Sequence, residues 1–267
     1  LIFFLIFLCL IYPGPRKRSG DSLEYCAMLV SWAEYLRPTV TQESCARLEK
    51  RLGQTYWPGA TSYFSWMGKK YPGLLKNGTE MDLSHFWFYS LGAAVFYWPV
   101  RLLGLDFRLS FMLLHIVLLL TAFFIISRKL GRTAVSSFFF IIYASPLFWF
   151  INNVHVEFFT VMLSLIGITL FVTEDFAAAA LSFAVASTQN PPFAVLCALV
   201  LIFGFWRKKG ALFRGCSLLT WSAALVLACL HPAYYYLRLG MLNPIIGTGA
   251  IEMSRSVFPL KKMLCVL

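Results

Sequence analysis

Two carboxylates, Asp21 and Glu24, lie three residues apart, shortly after the apolar run that opens the chain. Residues with this spacing share one face of a helix, so both carboxylates can face the same reacting group. A carboxylate in such a position can act as a general base that takes the proton of a hydroxyl group. A structural role is equally open, because Asp21 suits a helix N-cap and Glu24 suits the third position of a capping box. The two roles are compatible.

Polar side chains gather again in two short turns between apolar runs. The first turn holds Asn153, His155 and Glu157, and the second holds Gln189 and Asn190 just before two prolines. Polar residues collected at one mouth of a helical bundle are typical of a binding site. Each turn also has a plainer interpretation: Glu157 suits the start of a helix, where the dipole favours an anion, and the prolines suit a simple turn.

Other polar or reactive residues favour structural roles. His115 lies in an apolar run, so we expect it to form a hydrogen bond between helices rather than to bind a ligand. The seven cysteines show no CxxC pair and no metal-ligand spacing, so we interpret them as packing residues. The sequence has no GxSxG, Walker or HExxH motif.

The composition indicates which secondary-structure elements position these residues. Hydrophobic residues make up 59% of the 267 and charged residues 13%, and the mean hydropathy is +0.71. Continuous apolar runs of this kind are typical of helices in a bilayer, where the backbone must satisfy its own hydrogen bonds. We therefore predict an all-α protein, a polytopic transmembrane bundle of seven or eight hydrophobic segments with a long external first loop carrying juxtamembrane helices.

Three regions follow from the pattern of apolar runs. Residues 1–12 are predicted to be part of a first transmembrane helix, with the core of a signal peptide as the alternative. Residues 13–84 are predicted to form the external or interfacial loop. Residues 85–267 are predicted to form the transmembrane module, with segments near 86–103, 107–127, 134–150, 158–173, 176–188, 193–206 and 217–236. We expect the chain to be a piece of a longer protein, truncated at both ends.

The net charge of +11 reflects membrane topology better than nucleic-acid binding, because the basic residues cluster in short turns. One cluster is Arg128, Lys129 and Arg132, and another covers 207–214. The alternate turns, 151–157 and 189–192, contain no Lys or Arg. The basic turns are therefore predicted to be cytoplasmic, which puts the polar turns and the first loop on the outer face.

Residues 86–103 do not fit this alternation if they span the membrane. With an external first loop, a spanning segment here would place Arg128 outside. The segment is rich in aromatic residues and contains Pro99, which favours a location at the outer interface or a re-entrant dip. The alternative is that one basic turn departs from the charge rule.

Several of these features resemble the GT-C superfamily of membrane glycosyltransferases, which includes protein mannosyltransferases and aminoarabinose transferases. The resemblance rests on the Asp-x-x-x-Tyr element of Asp21 and Tyr25, the aromatic stretch 82–91, the basic turn 128–132 and the acid Glu157. It covers most of the chain. The sequence departs from the family in lacking its usual proline pair before Phe86 and the soluble C-terminal domain of some members.

The resemblance implies an inverting glycosyltransferase that uses a polyprenyl-phosphate sugar as donor. It assigns the role of base to Asp21, with Glu24 as the alternative, and no cofactor. Membrane lipid and the lipid-linked donor are the implied partners, with no nucleic acid. We expect an integral, multi-pass protein of a cell inner membrane or the endoplasmic reticulum. The residues expected to bind substrate are His85, Asn153, His155, Glu157, Gln189 and Asn190.

The competing function is that of a non-enzymatic transporter or flippase-like protein. An acidic site in the external loop favours the enzyme, whereas an acid paired across helices in mid-membrane would favour the transporter.

Overall fold

The computed structural model describes residues 21–52, 64–65, 68–69, 72–76, 79–208 and 216–244. The predicted first helix at 1–12 lies outside them. The helices are α1 Ser22–Tyr35, α2 Gln42–Leu52, α3 Phe88–Leu102, α4 Leu109–Leu130, α5 Arg132–Tyr143, α6 Leu147–Ile151, α7 Val156–Val172, α8 Phe176–Ser187, α9 Phe193–Lys208 and α10 Cys216–Leu239. The all-α prediction is confirmed.

A small antiparallel sheet joins the two parts of the first loop. Its strands are β1 Val40–Thr41, β2 Leu75–Lys76 and β3 Glu80–Met81, in the order β1-β3-β2. Met81 is the register partner of both Val40 and Leu75. The buried side chains of Val40 and Met81 belong to the same hydrophobic core as α1 and α2, so the sheet fixes where the chain turns toward α3.

The single segment predicted at 134–150 is wrong, because the chain forms two helices there, α5 and α6. The break falls at Ala144, Ser145 and Pro146. Proline has no N–H for the helical ladder and disfavours helical geometry in the residue before it. Ser145 Oγ accepts a hydrogen bond from the Leu147 amide at 3.3 Å, which starts α6.

Helices α7, α9 and α10 pack around α8, which contacts all three. Close approach depends on small residues: a Cβ added at Gly167 would lie 2.9 Å from the Phe183 ring, and one at Gly204 would lie 2.8 Å from Phe176 Cβ. Helices in lipid pack closely through such positions. Two buried clusters result, one beneath α1–α3 and one within the helical bundle.

Two of the described helices, Leu109–Leu130 and Leu218–Leu239, are long and apolar enough to cross a membrane. The other apolar helices of the bundle have 10–17 residues. A helix of 12 residues is about 18 Å long, short of a hydrocarbon core of about 30 Å. The described chain thus has two candidate spans, where the sequence predicted seven or eight hydrophobic segments.

Candidate functional site

The imidazole of His85 connects the two carboxylates that the sequence singled out. Its Nδ1 lies 2.9 Å from Glu24 Oε2, and its Nε2 lies 3.2 Å from Asp21 Oδ2. Ser84 Oγ also donates a hydrogen bond to Glu24 Oε2, at 3.1 Å. Asp21 and Glu24 come from the start of α1, and His85 comes from the segment between β3 and α3, so the site joins two distant parts of the loop.

The contacts of Asp21 distinguish between its two predicted roles, helix N-cap and reactive carboxylate. Asp21 occupies the N-cap position of α1, but its side chain makes no capping hydrogen bond. The capping-box interpretation therefore does not hold for this carboxylate, which bonds to His85 instead. Its side chain is 47% exposed, whereas that of Glu24 is 7% exposed. Asp21 is thus the carboxylate that a ligand can reach.

The charges of the cluster favour an imidazolium between two carboxylates. Burial alone lowers the pKa of His85, but hydrogen bonds to Asp21 and Glu24 and the charges of both outweigh burial and raise the pKa to about 9. The hydrogen bond from His85 lowers the pKa of Asp21, with burial opposing and the charges of His85 and His155 adding to the effect. Near neutral pH, Asp21 is ionised and the His85 imidazolium fixes its orientation.

Aromatic rings form the wall behind the cluster. The buried ring of Tyr25 lies 5.3 Å from the His85 ring and 5.1 Å from the Tyr89 ring, measured between centroids. Tyr89 in turn donates its hydroxyl hydrogen to His115 Nε2 at 2.8 Å, while His115 Nδ1 donates to the Ile151 carbonyl at 3.0 Å. The prediction that His115 joins helices by hydrogen bonds is confirmed.

His155 Nδ1 and Glu157 Oε2 contact each other at the start of α7, and burial lowers the pKa of the His155 imidazole. His155 lies close enough to Asp21 for its charge to lower the pKa of that carboxyl group, so the first polar turn faces the cluster. The side chain of Glu157 is 44% exposed. A second half-exposed carboxylate therefore lies on the same side of the molecule as Asp21.

The three predicted amides occupy positions around this turn. Asn153 Nδ2 donates to the Trp149 carbonyl at 2.6 Å, so this amide holds the end of α6. Asn190 Nδ2 donates to Thr160 Oγ1 at 3.0 Å, which ties the second polar turn to α7. Gln189 Nε2 is buried, and none of the residues that the structure describes accepts a hydrogen bond from it. Both polar turns thus lie at one end of the bundle.

The opposite end of the bundle carries the basic turns. Lys129 Nζ lies 3.9 Å from Asp175 Oδ2, and Arg207 Nη2 lies 3.8 Å from Glu174 Oε1. These pairs bring the ends of α4 and α9 to the turn between α7 and α8.

The segment that carries His85 is fastened to α10. Arg238 Nη2 lies 3.1 Å from the buried Asp82 Oδ2 and 3.3 Å from Glu80 Oε2. Tyr235 donates its hydroxyl hydrogen to the Leu83 carbonyl at 2.9 Å, and Tyr234 donates to Asp82. Sequence reasoning missed this connection, and also missed Ser84. The three consecutive tyrosines 234–236 before Arg238 do not by themselves indicate these partners.

The cluster has the groups that a proton-transfer site needs. Among the described residues there is no group of three or more His, Cys, Asp or Glu side chains arranged to hold a metal ion. Asp21 offers an ionised, oriented and half-exposed carboxylate, and His85 offers a fixed positive charge. These are the parts that a general base and its positioning partner require.

Comparison with known proteins identifies no relative of this chain: no protein-family model, no curated protein and no solved structure matches it.

Proposed function

We propose that this chain is the membrane module of an inverting glycosyltransferase that moves a sugar from a polyprenyl-phosphate donor to an acceptor, with Asp21 as the general base. The observation that carries the proposal is the arrangement of Asp21, His85 and Glu24. One carboxylate is half exposed and aimed by an imidazole, and the imidazole is held by a buried carboxylate.

The surface of the bundle supports placement in a membrane. Large apolar side chains are exposed along α4, α7, α9 and α10, among them Phe124, Ile168, Ile202 and Leu219. Contiguous exposed apolar surface is rare on soluble monomers and is normal where lipid is the solvent. The two helices long enough to cross a membrane agree with this placement. We propose that the shorter apolar helices complete a multi-pass bundle.

The proposed orientation follows from the two ends of the bundle. The basic end, with Arg128, Lys129 and Arg207, faces the cytoplasm by the charge rule. The end with the polar turns and the Asp21 cluster then lies at the outer face. A lipid-borne sugar phosphate presents its anomeric carbon near this depth, which is where a base must reach the acceptor.

Helix α3 is proposed to lie at the outer interface rather than to span. It has 15 residues, and its exposed side chains Val95, Trp98 and Leu102 are spaced along one side. Trp98 Nε1 donates to the Ala33 carbonyl at 3.1 Å, so α3 is fastened to α1. An interfacial α3 removes the conflict between residues 86–103 and the basic turn at Arg128.

In the proposed reaction, Asp21 takes the proton of an acceptor hydroxyl as that oxygen attacks the anomeric carbon. The new carbon–oxygen bond forms as the bond from the anomeric carbon to the phosphate oxygen breaks, and the lipid phosphate leaves with that electron pair. Attack opposite the leaving group inverts the anomeric centre. His85 is already protonated, so its role is to orient Asp21 and keep it ionised.

The distribution of acids argues against the transporter. Across helices α4 to α10 the only carboxylate is Glu157, in the first turn of α7. Proton- and ion-coupled transport is typically built on ionisable residues inside the membrane.

The test is transfer by the full-length protein in proteoliposomes supplied with polyprenyl-phosphate sugars of defined anomeric configuration. We expect transfer of sugar from at least one donor, with a product of inverted configuration. A product of retained configuration would contradict the mechanism. Movement of the intact donor between leaflets, without release of lipid phosphate, would favour the flippase.

A further inference from the structure

A basic cavity lies at the opposite end of α1 from Asp21. Its volume is about 550 Å³, and its charged lining consists of Arg47, Lys50, Arg51, Arg101, Arg108 and Asp106. Glu34 of α1 lies beside the cavity, where it pairs with several of these arginines. Asp21 and Glu34 are 13 positions apart along α1, which is about 20 Å of helix. The cavity is therefore separate from the proposed transfer site.

Three different elements contribute the cations. Arg47, Lys50 and Arg51 come from the last turns of α2, Arg101 from the end of α3, and Arg108 from the turn before α4. Convergence of cations from separate elements costs free energy through mutual repulsion, unless an anion lies among them.

The carboxylates at the cavity only partly balance these charges. Glu34 serves three arginines at once: it pairs with Arg51, its Oε2 lies 3.4 Å from Arg47 Nε, and its Oε1 lies 3.6 Å from Arg101 Nη1. Asp106 holds Arg108, whose Nε lies 3.0 Å from Asp106 Oδ1. The lining itself carries five positive charges and one negative charge, which favours an anion with several acceptor oxygens.

Exposed leucines next to the cavity indicate the source of the anion. Leu102 is 84% exposed and Leu103 is 73% exposed, and both directly follow Arg101. Gly104, with φ of +67°, turns the chain so that Leu105 and the cations return to the cavity. Basic side chains beside apolar ones are the pattern by which proteins bind a lipid headgroup while apolar residues enter the acyl region.

We propose that this cavity binds the phosphate of an anionic membrane lipid and so anchors α2 and α3 at the interface. The ligand chemistry is a phosphate group with net negative charge, and the leucines favour a lipid over free phosphate as its source. The proposal rests on the membrane placement put forward above, but it does not depend on sugar transfer.

The test is native mass spectrometry of the full-length chain in a non-ionic detergent, without sugar donor. The chain is titrated separately with phosphatidylglycerol, with phosphatidylcholine and with inorganic phosphate. We expect phosphatidylglycerol to bind at least about tenfold more tightly than phosphatidylcholine, since each cation near such a headgroup contributes about 1 kcal/mol. Inorganic phosphate binding as tightly as phosphatidylglycerol would overturn the lipid as the source.

The variant is Arg47→Gln/Lys50→Gln, which changes two exposed positions of α2. Its matched control is Arg128→Gln/Arg132→Gln, which removes two cations from the other end of the bundle. We expect the first variant to weaken phosphatidylglycerol binding at least about tenfold and the control to leave it within about twofold. Equal losses in both variants would mean attraction by general charge and would overturn the proposal. The single variants Lys50→Gln and Lys50→Glu form a second pair at one exposed position, where we expect both to leave the fold intact and Lys50→Glu to weaken binding further.

Discussion

His85 Nδ1 lies 2.9 Å from Glu24 Oε2, so Glu24 holds the imidazole whose other nitrogen contacts Asp21. Sequence spacing alone leaves Asp21 and Glu24 equivalent. In the folded chain the Glu24 side chain is buried against His85, while the Asp21 side chain is about half exposed. We therefore expect substitutions of the two carboxylates to have different effects.

Substitution of Asp21 by Asn should remove the general base. Loss of such a base typically lowers the rate about 100- to 10,000-fold. Folding should survive, because Asn is about as good at an N-cap as Asp and the Asp21 side chain makes no capping bond. The measurement is the turnover of Asp21→Asn in proteoliposomes, with Glu24→Gln for comparison. A larger loss in Glu24→Gln would move the base by one helical turn, and normal transfer by Asp21→Asn would remove Asp21 from the mechanism.

The His85 cluster should make stability depend on pH in the alkaline range. The pKa of His85 rises from 6.5 to about 9 on folding, so the stabilisation is complete below pH 6.5 and is lost as the pH rises through about 9. We expect the unfolding temperature in detergent to fall over this range, and to fall less in His85→Gln. Parallel curves for the two proteins would show that His85 is not the titrating group.

Glu157→Gln should lower turnover and leave membrane insertion intact. The carboxylate is half exposed, contacts His155 and lies on the same side as Asp21, so we expect it to contribute to substrate binding. Glu174→Gln is the matched control, because it removes a carboxylate at the opposite end of the bundle. If both variants keep wild-type kinetics, Glu157 is only a carboxylate favoured by the start of α7.

Reporters fused after Arg207 and after Asn153 should lie on opposite sides of the membrane. The ion pairs of Lys129 with Asp175 and of Arg207 with Glu174 put the basic turns together at one end. By the charge rule, the reporter after Arg207 should be cytoplasmic and the one after Asn153 should be external. The reverse pattern would remove the argument for a site on the outer face.

Arg238→Gln should destabilise the protein, because it leaves the carboxylate of Asp82 buried with less compensation. Loss of one partner of a buried charged hydrogen bond costs about 1 to 3 kcal/mol. Arg37→Gln is the control: its guanidinium is mostly exposed and lies 3.7 Å from Glu80, so the change should cost no more than about 1 kcal/mol. Unfolding curves in detergent measure both, and equal shifts would contradict a special role for Arg238.

The apolar runs of the sequence were sufficient to predict the all-α class and most helix bounds. The predicted segments 176–188 and 193–206 correspond to α8 and α9 within two residues, because helix formation depends on local periodicity and on Gly, Pro and polar breaks. The same local pattern did not predict the break at Pro146, because the run 134–150 is apolar on both sides of this proline.

The pairing of distant residues was decided only by the tertiary structure. Asp21 and Glu24 were identifiable from their spacing, but the sequence gives no reason for His85 Nδ1 to meet a carboxylate 61 residues away. Likewise, Arg238 reaches Asp82 across 156 residues, through the packing of α10 against the segment after β3. Helices and turns follow from interactions between near neighbours along the chain. Contacts of this kind depend on how the helices pack, and packing is a property of the whole chain.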